Sequence, residues 1–162
     1  MNIVISLDGV ICGPTGDLVQ KGLLIYRAFK SLGRVILVTD MDRVRAEGWL
    51  MLNNIYDYDE LIDCSVEVDP FQDLRQRQLR VALSKGPISV FVEADPERAS
   101  VGLREGISTL MFAQSEYSHF AFRPDSPKTA RPWDELVAER TRQQALKATD
   151  KRTRPAEMGL WD

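Results

Sequence analysis

The sequence contains no apolar run close to the roughly 20 residues that a membrane-spanning helix needs. Its first apolar run, Ile3 to Leu7, is short, ends in acid and has no basic leader. No secretory signal is expected, and the expected location is the cytoplasm. Basic charge is also scarce, with 21 Lys and Arg against 24 Asp and Glu. That balance argues against a non-specific nucleic-acid binder, which would carry a strongly basic face. Cys12 and Cys64 are the two cysteines and have neither metal nor redox spacing, so both are expected reduced. Histidine occurs once, at His119 beyond the last apolar run, which reads as a loop residue. There is no internal repeat and no low-complexity block.

What remains suits one soluble domain. The chain has 162 residues, 44% of them hydrophobic and 28% charged. Short apolar runs rich in β-branched residues recur at Ile3 to Leu7, Val35 to Thr39, Cys64 to Val68, Ile88 to Val92 and Ser108 to Ala113. Such runs fit strands buried on both faces of a parallel sheet. Helical patterns lie between them. One starts at Asp17 and stops at Gly33, with Ile25, Phe29 and Leu32 on its apolar stripe. The next starts after Asp42 as N-cap, and a third runs from Phe71 to Gly86. The last has Asp95 as N-cap, Pro96 at its first position and Gly106 as stop. The alternation predicts a three-layer, doubly wound, Rossmann-like α/β domain over residues 1–122, with a mainly parallel five-stranded sheet. Residues 123–162 are rich in proline and charge. Trp133 to Lys147 reads there as a polar helix whose apolar anchors are Trp133, Leu136, Val137 and Leu146, marginal on its own.

In open α/β sheets, ligands bind beyond the carboxyl ends of the strands, where strand order switches. If the first strand lies between the second and fourth, Asp8, Thr39 and Glu93 meet at one crevice. A hydroxyl, two carboxylates and nearby helix N-termini suit a metal and a phosphate. Each residue also has a plainer reading. Asp8-Gly9 reads as a turn, Thr39 with Asp40 and Asp42 as helix capping, and Asp95 as a cap. Glu93 reads as a loop carboxylate, Arg75, Arg77 and Arg80 as a charged helix face, and Trp49 and Trp133 as packing.

Three motifs stand in order on these elements, with a candidate for another between the second and the last. They are Ser6-Leu7-Asp8-Gly9-Val10 after the first strand, Thr39 closing the second, basic residues on the helix before the fourth, and Glu93-Ala94-Asp95 after the fourth. Together they resemble the haloacid dehalogenase superfamily of phosphohydrolases. In that family the first motif is Asp-x-Asp-Gly-Thr/Val. The resemblance implies that Ser6 stands at the nucleophile position and Asp8 at the general acid/base. It also implies that Thr39 holds phosphoryl oxygens and that Arg75 is the basic residue, with Arg77, Arg80 and Lys85 as competitors. The expected cofactor is Mg²⁺, held by Asp8, Glu93 and Asp95, at a site weakened by the loss of a carboxylate at position 6. Ala94 also replaces a common acid. A serine hydroxyl is neutral and needs a base to attack phosphorus.

The short loops leave no room for a cap domain, which implies an open crevice. The functional expectation is a degenerate member of the fold that binds a phosphorylated ligand or a macromolecular partner. One alternative is a Mg²⁺-dependent phosphatase or nucleotidase with Asp40 or Asp42 replacing the lost carboxylate. Another is an assembly subunit that docks through its C-terminal segment.

Overall fold

The computed structural model describes residues 1–66 and 72–113, together with residues 137, 138, 140–142 and 145, which are helical. The expected domain boundary after residue 122 and most of the C-terminal segment lie outside the described residues. The elements run β1 (Asn2–Ser6), α1 (Gln20–Leu32), β2 (Arg34–Val38), α2 (Arg43–Leu52), β3 (Glu60–Ile62), α3 (Leu74–Ser84), β4 (Ile88–Glu93), α4 (Pro96–Arg104) and β5 (Thr109–Met111). All five strands are parallel, in the order β3-β2-β1-β4-β5. This is the three-layer Rossmann-like α/β architecture that the sequence predicts. None of the helices among the described residues is long and apolar enough to cross a membrane.

Alternation along the strands sends side chains to two cores. Ile3, Ile5, Val35 and Leu37 point to the face covered by α1 and α2, where Leu23, Tyr26, Ala46 and Leu50 complete the packing. Val4, Ile36 and Val38 point the other way, against Leu79 and Ala82 of α3 and Val101 of α4. The apolar runs are continuous because both faces of the sheet are buried.

Three local expectations are corrected. The third strand is Glu60–Ile62, not Cys64 to Val68. Residues 64–66 turn away because the Asp63 carboxylate accepts the Ser65 N–H at 2.7 Å, and the Cys64 N–H is drawn to the Met41 carbonyl at 3.2 Å. Residues 67 and 68 lie outside the described set. Helix α1 starts at Gln20 instead of Asp17, because residues 17–19 are held in β-like pairing with the preceding loop. There the Val19 N–H donates to Ile11 and the Gly13 N–H to Asp17. The buried stripe of α1 is Gly22, Leu23 and Tyr26, with Phe29 half-buried and Leu32 exposed.

That rotation of α1 follows from Gly22. A Cβ built there would lie 1.6 Å from the Val10 carbonyl oxygen, so the helix backbone rests directly on the loop after β1. Gly33 ends α1 with an extended φ of 175°, not a left-handed one. It serves a close approach instead, since a Cβ would stand 2.3 Å from the Met1 carbonyl.

Two glycine substitutions therefore move stability in opposite directions. Gly22→Ala forces backbone apart and is expected to cost more than about 3 kcal/mol. Gly48→Ala, in the exposed interior of α2 with nothing within 4 Å, is expected to gain about 0.5–1 kcal/mol. Urea denaturation of both variants checks the pair.

Candidate functional site

The switch in strand order falls at β1, which has β2 on one side and β4 on the other. The loops after these three strands bring Ser6, Asp8, Thr39, Arg75 and Glu93 together. β1 ends at Ser6, fully buried beneath the crevice. Gly9 turns the following loop at φ +79°, and a Cβ there would come within 2.8 Å of the Ala94 methyl, so the loops after β1 and β4 touch. That conformation suits glycine and few other residues.

Arg75 sits at the centre of the site. Its α3 starts from Asp73, whose carboxylate accepts the Arg75 N–H at 2.6 Å. The guanidinium is 1% exposed. One terminal nitrogen donates to Ser6 Oγ at 3.2 Å and to Asp40 Oδ1 at 3.2 Å. The other donates to Gln78 Oε1 at 2.6 Å. Its Nε faces Glu93 Oε2 at 3.2 Å as a buried ion pair, and neither atom has a hydrogen-bond partner. Burial pushes the Glu93 carboxyl above the ordinary carboxylate range, and Arg75 with the backbone N–H groups of Asp95 and Ala94 offsets that only in part.

Ser6 is poorly placed for attack. Its hydroxyl lies 3.1 Å from the main-chain carbonyl of Asp8, to which it donates, while it accepts from Arg75. The Asp8 carboxylate is turned elsewhere. Its Oδ2 accepts from the Thr39 hydroxyl at 2.9 Å and from the Asp40 N–H at 2.8 Å. No base therefore touches the serine proton. Among the thiols, Cys12 is buried and free, and burial pushes its pKa up to about 11.

The remaining candidates divide. Glu93 Oε1 accepts from the backbone of Ala94 at 2.8 Å and Asp95 at 3.2 Å, bracing the loop after β4. Asp95 is the N-cap of α4, accepting from Glu97 and Arg98, so its carboxylate serves the helix. Asp42 likewise caps α2, through the Arg45 N–H. Asp40 stands at the rim, bridging Arg75 and Arg98. Of the competitors for the basic position, Arg80 pairs with Glu105 and Lys85 with Glu60, both away from the crevice. Among the described residues, no group of three or more His, Cys, Asp or Glu is disposed to hold a metal ion. His119 lies outside the described residues.

Two further residues belong to the site. Gln78 is fully buried and donates to the carbonyls of Thr39 at 2.7 Å and Asp63 at 3.1 Å, tying Arg75 to the ends of β2 and β3. Its signal was its place three residues after Arg75, on the same helix face. Arg98 clasps Asp40 from α4 and leaves no sequence signature.

Several strong donors at the strand ends are thus engaged by the chain's own carboxylates. The Thr39 hydroxyl and Asp40 N–H are taken by Asp8, and Arg75 and Arg98 converge on Asp40.

Comparison with known proteins shows the fold and no more. No family model matches the sequence, and no curated protein matches it. A chain in the structure of the Pnkp1/Rnl/Hen1 RNA repair complex is similar in fold, with a TM-score of 0.56 and 15% sequence identity. The match covers 68% of this chain and 42% of that one, so this chain spans less than half of its neighbour's length.

Removing one partner of the buried pair is expected to be severe. Arg75→Met strands the Glu93 carboxylate and should cost about 3–5 kcal/mol near pH 8. Because the folded pKa of Glu93 is raised, stability is greatest below its unfolded value and falls as pH rises through the folded value. The loss in Arg75→Met should therefore shrink as pH falls from 8 toward 5, as the stranded Glu93 carboxyl is neutralised in the direction its raised pKa favours. Urea unfolding at the two pH values checks this.

Proposed function

We propose that this chain is a degenerate relative of the haloacid dehalogenase phosphohydrolases that acts by binding a macromolecular partner, without hydrolysing phosphate esters. The observation that carries this reading is Ser6. It stands at the nucleophile position, fully buried beneath Arg75, with its proton directed at a main-chain carbonyl and not at a base. In-line attack by a hydroxyl needs an approach path and a proton acceptor, and this hydroxyl has neither.

Magnesium fits these residues badly. Asp8 spends Oδ2 on Thr39 and Asp40, Glu93 faces a guanidinium, and Asp95 caps a helix. A divalent cation beside the Arg75 charge would meet repulsion where the family's carboxylate would supply attraction. Asp40 is the natural substitute nucleophile, since its carboxylate reaches the rim. Held between Arg75 and Arg98, it is engaged in ion pairs and not free to attack.

Two observations support a macromolecular partner. Residues 7–19, between β1 and α1, hold no inserted domain, and Asp40 at the rim is exposed. The fold neighbour is a chain of a multi-protein assembly.

The test is Mg²⁺-dependent release of p-nitrophenol from its phosphate ester. Wild type should match Asp8→Asn at background, with Ser6→Asp run beside them as the variant that restores the family's residue. Wild-type turnover that Asp8→Asn abolishes would overturn the reading.

A further inference from the structure

The side chains that hold Asp40 form a site of their own. Arg75 of α3 and Arg98 of α4 reach the rim of the crevice from the same side of the sheet. Arg75 donates to Asp40 Oδ1 at 3.2 Å, and Arg98 ion-pairs with Asp40 Oδ2. Each carboxylate oxygen therefore has a guanidinium of its own. Planar guanidinium donors suit the two oxygens of a carboxylate. The Asp40 side chain is 36% exposed and that of Arg98 34%, so this contact lies at the rim and not in the core.

The surroundings of Asp40 are fixed without its carboxylate. Arg75 is also held by Ser6, Gln78 and Glu93. Arg98 stands in the first turn of α4, whose start Asp95 caps. The main chain on either side of Asp40 is pinned as well. The Thr39 N–H donates to the Ile62 carbonyl at 3.0 Å, the Asp40 N–H to Asp8 at 2.8 Å and the Met41 N–H to the Thr39 hydroxyl at 3.2 Å. The Met41 carbonyl accepts from Cys64, and Asp42 caps α2. Truncating the Asp40 side chain therefore leaves the loop in place and opens a gap before two guanidiniums. Glu93 still faces Arg75 in that gap, but Arg98 loses the carboxylate with which it pairs. One negative charge shared by two oxygens restores what is missing.

We propose that Arg75 and Arg98 form a carboxylate-binding site that Asp40 fills from within, so that the chain carries the inhibitor of its own site. The ligand class is a monoanionic carboxylate, presenting one oxygen to each guanidinium as Asp40 does. Its tether gives Asp40 a far higher effective concentration than a free carboxylate reaches, which closes the wild-type site to small anions. The inference rests on the reading that the crevice hydrolyses no phosphate ester, yet it fails separately. A chain truncated at Asp40 can be indifferent to carboxylates while the wild type still turns nothing over.

Urea unfolding of the full chain tests it, with sodium acetate as the probe and sodium chloride at equal ionic strength as the reference. In about 0.2 M acetate the folded-to-unfolded ratio of Asp40→Ala should rise about tenfold, the linkage expected for a Kd of about 20 mM. The wild type, filled by its own carboxylate, and the double variant Asp40→Ala, Arg98→Ala, which lacks one guanidinium, should each change less than about twofold. A rise in Asp40→Ala no larger than in these two would overturn the proposal. Asp40→Asn removes the charge and keeps the space filled, so it should gain nothing from acetate. A gain there equal to that of Asp40→Ala would also overturn it, since no gap would then be needed. If Asp40→Ala is unfolded in chloride, folding on addition of acetate, followed by circular dichroism, is the supporting result. A chain unfolded in both salts would count against the proposal and overturn it.

Discussion

The Arg75 guanidinium is buried between the ends of β1, β2 and β4, and the other polar groups of the crevice are arranged around it. A charge in that position is tolerated only with acceptors on several sides. Glu93 supplies one from β4, Asp40 one from beyond β2, Ser6 one from β1 and Gln78 one from the same helix. Four segments far apart in sequence are thereby held to one point. Gln78 extends the grip by donating to the carbonyls of Thr39 and Asp63.

This arrangement rests on topology. Strand order β3-β2-β1-β4-β5 opens a gap above β1, where helices on opposite sides of the sheet diverge. In such a gap, donors at the strand ends commonly meet a bound anion. Here carboxylates of the chain take that part: Asp8 occupies the Thr39 hydroxyl and the Asp40 N–H, while Asp40 occupies Arg75 and Arg98. A neutral serine at position 6 is consistent with this balance. An aspartate there would add a further negative charge beside Glu93, and serine lets one buried guanidinium serve both Glu93 and the hydroxyl.

Much of this was legible in the sequence because parallel strands buried on both faces write continuous apolar runs, as Val35 to Thr39 does. Asp42 and Asp95 announced the helix starts they cap, and the meeting of Ser6, Asp8, Thr39 and Glu93 followed from the order of elements. β3 was misplaced because three residues, Glu60–Ile62, are too few to stand out beside the longer run that follows. The stripe of α1 was misread because Gly22 marks its contact through the absence of a side chain. Arg98 was missed because its partner Asp40 is more than fifty positions away and no periodicity links them. Asp95 was ambiguous in sequence, since capping and metal binding call for the same carboxylate.

The central claim is that the Thr39 hydroxyl, the Asp40 N–H, Arg75 and Arg98 are engaged by carboxylates of the chain and so are not free to hold a phosphate. Calorimetric titration of inorganic phosphate into the wild-type chain, with and without Mg²⁺, tests it most directly. The account predicts no saturable binding with a Kd below about 1 mM, an affinity worth about 4 kcal/mol. Saturable binding tighter than that, abolished by Thr39→Val, would contradict it.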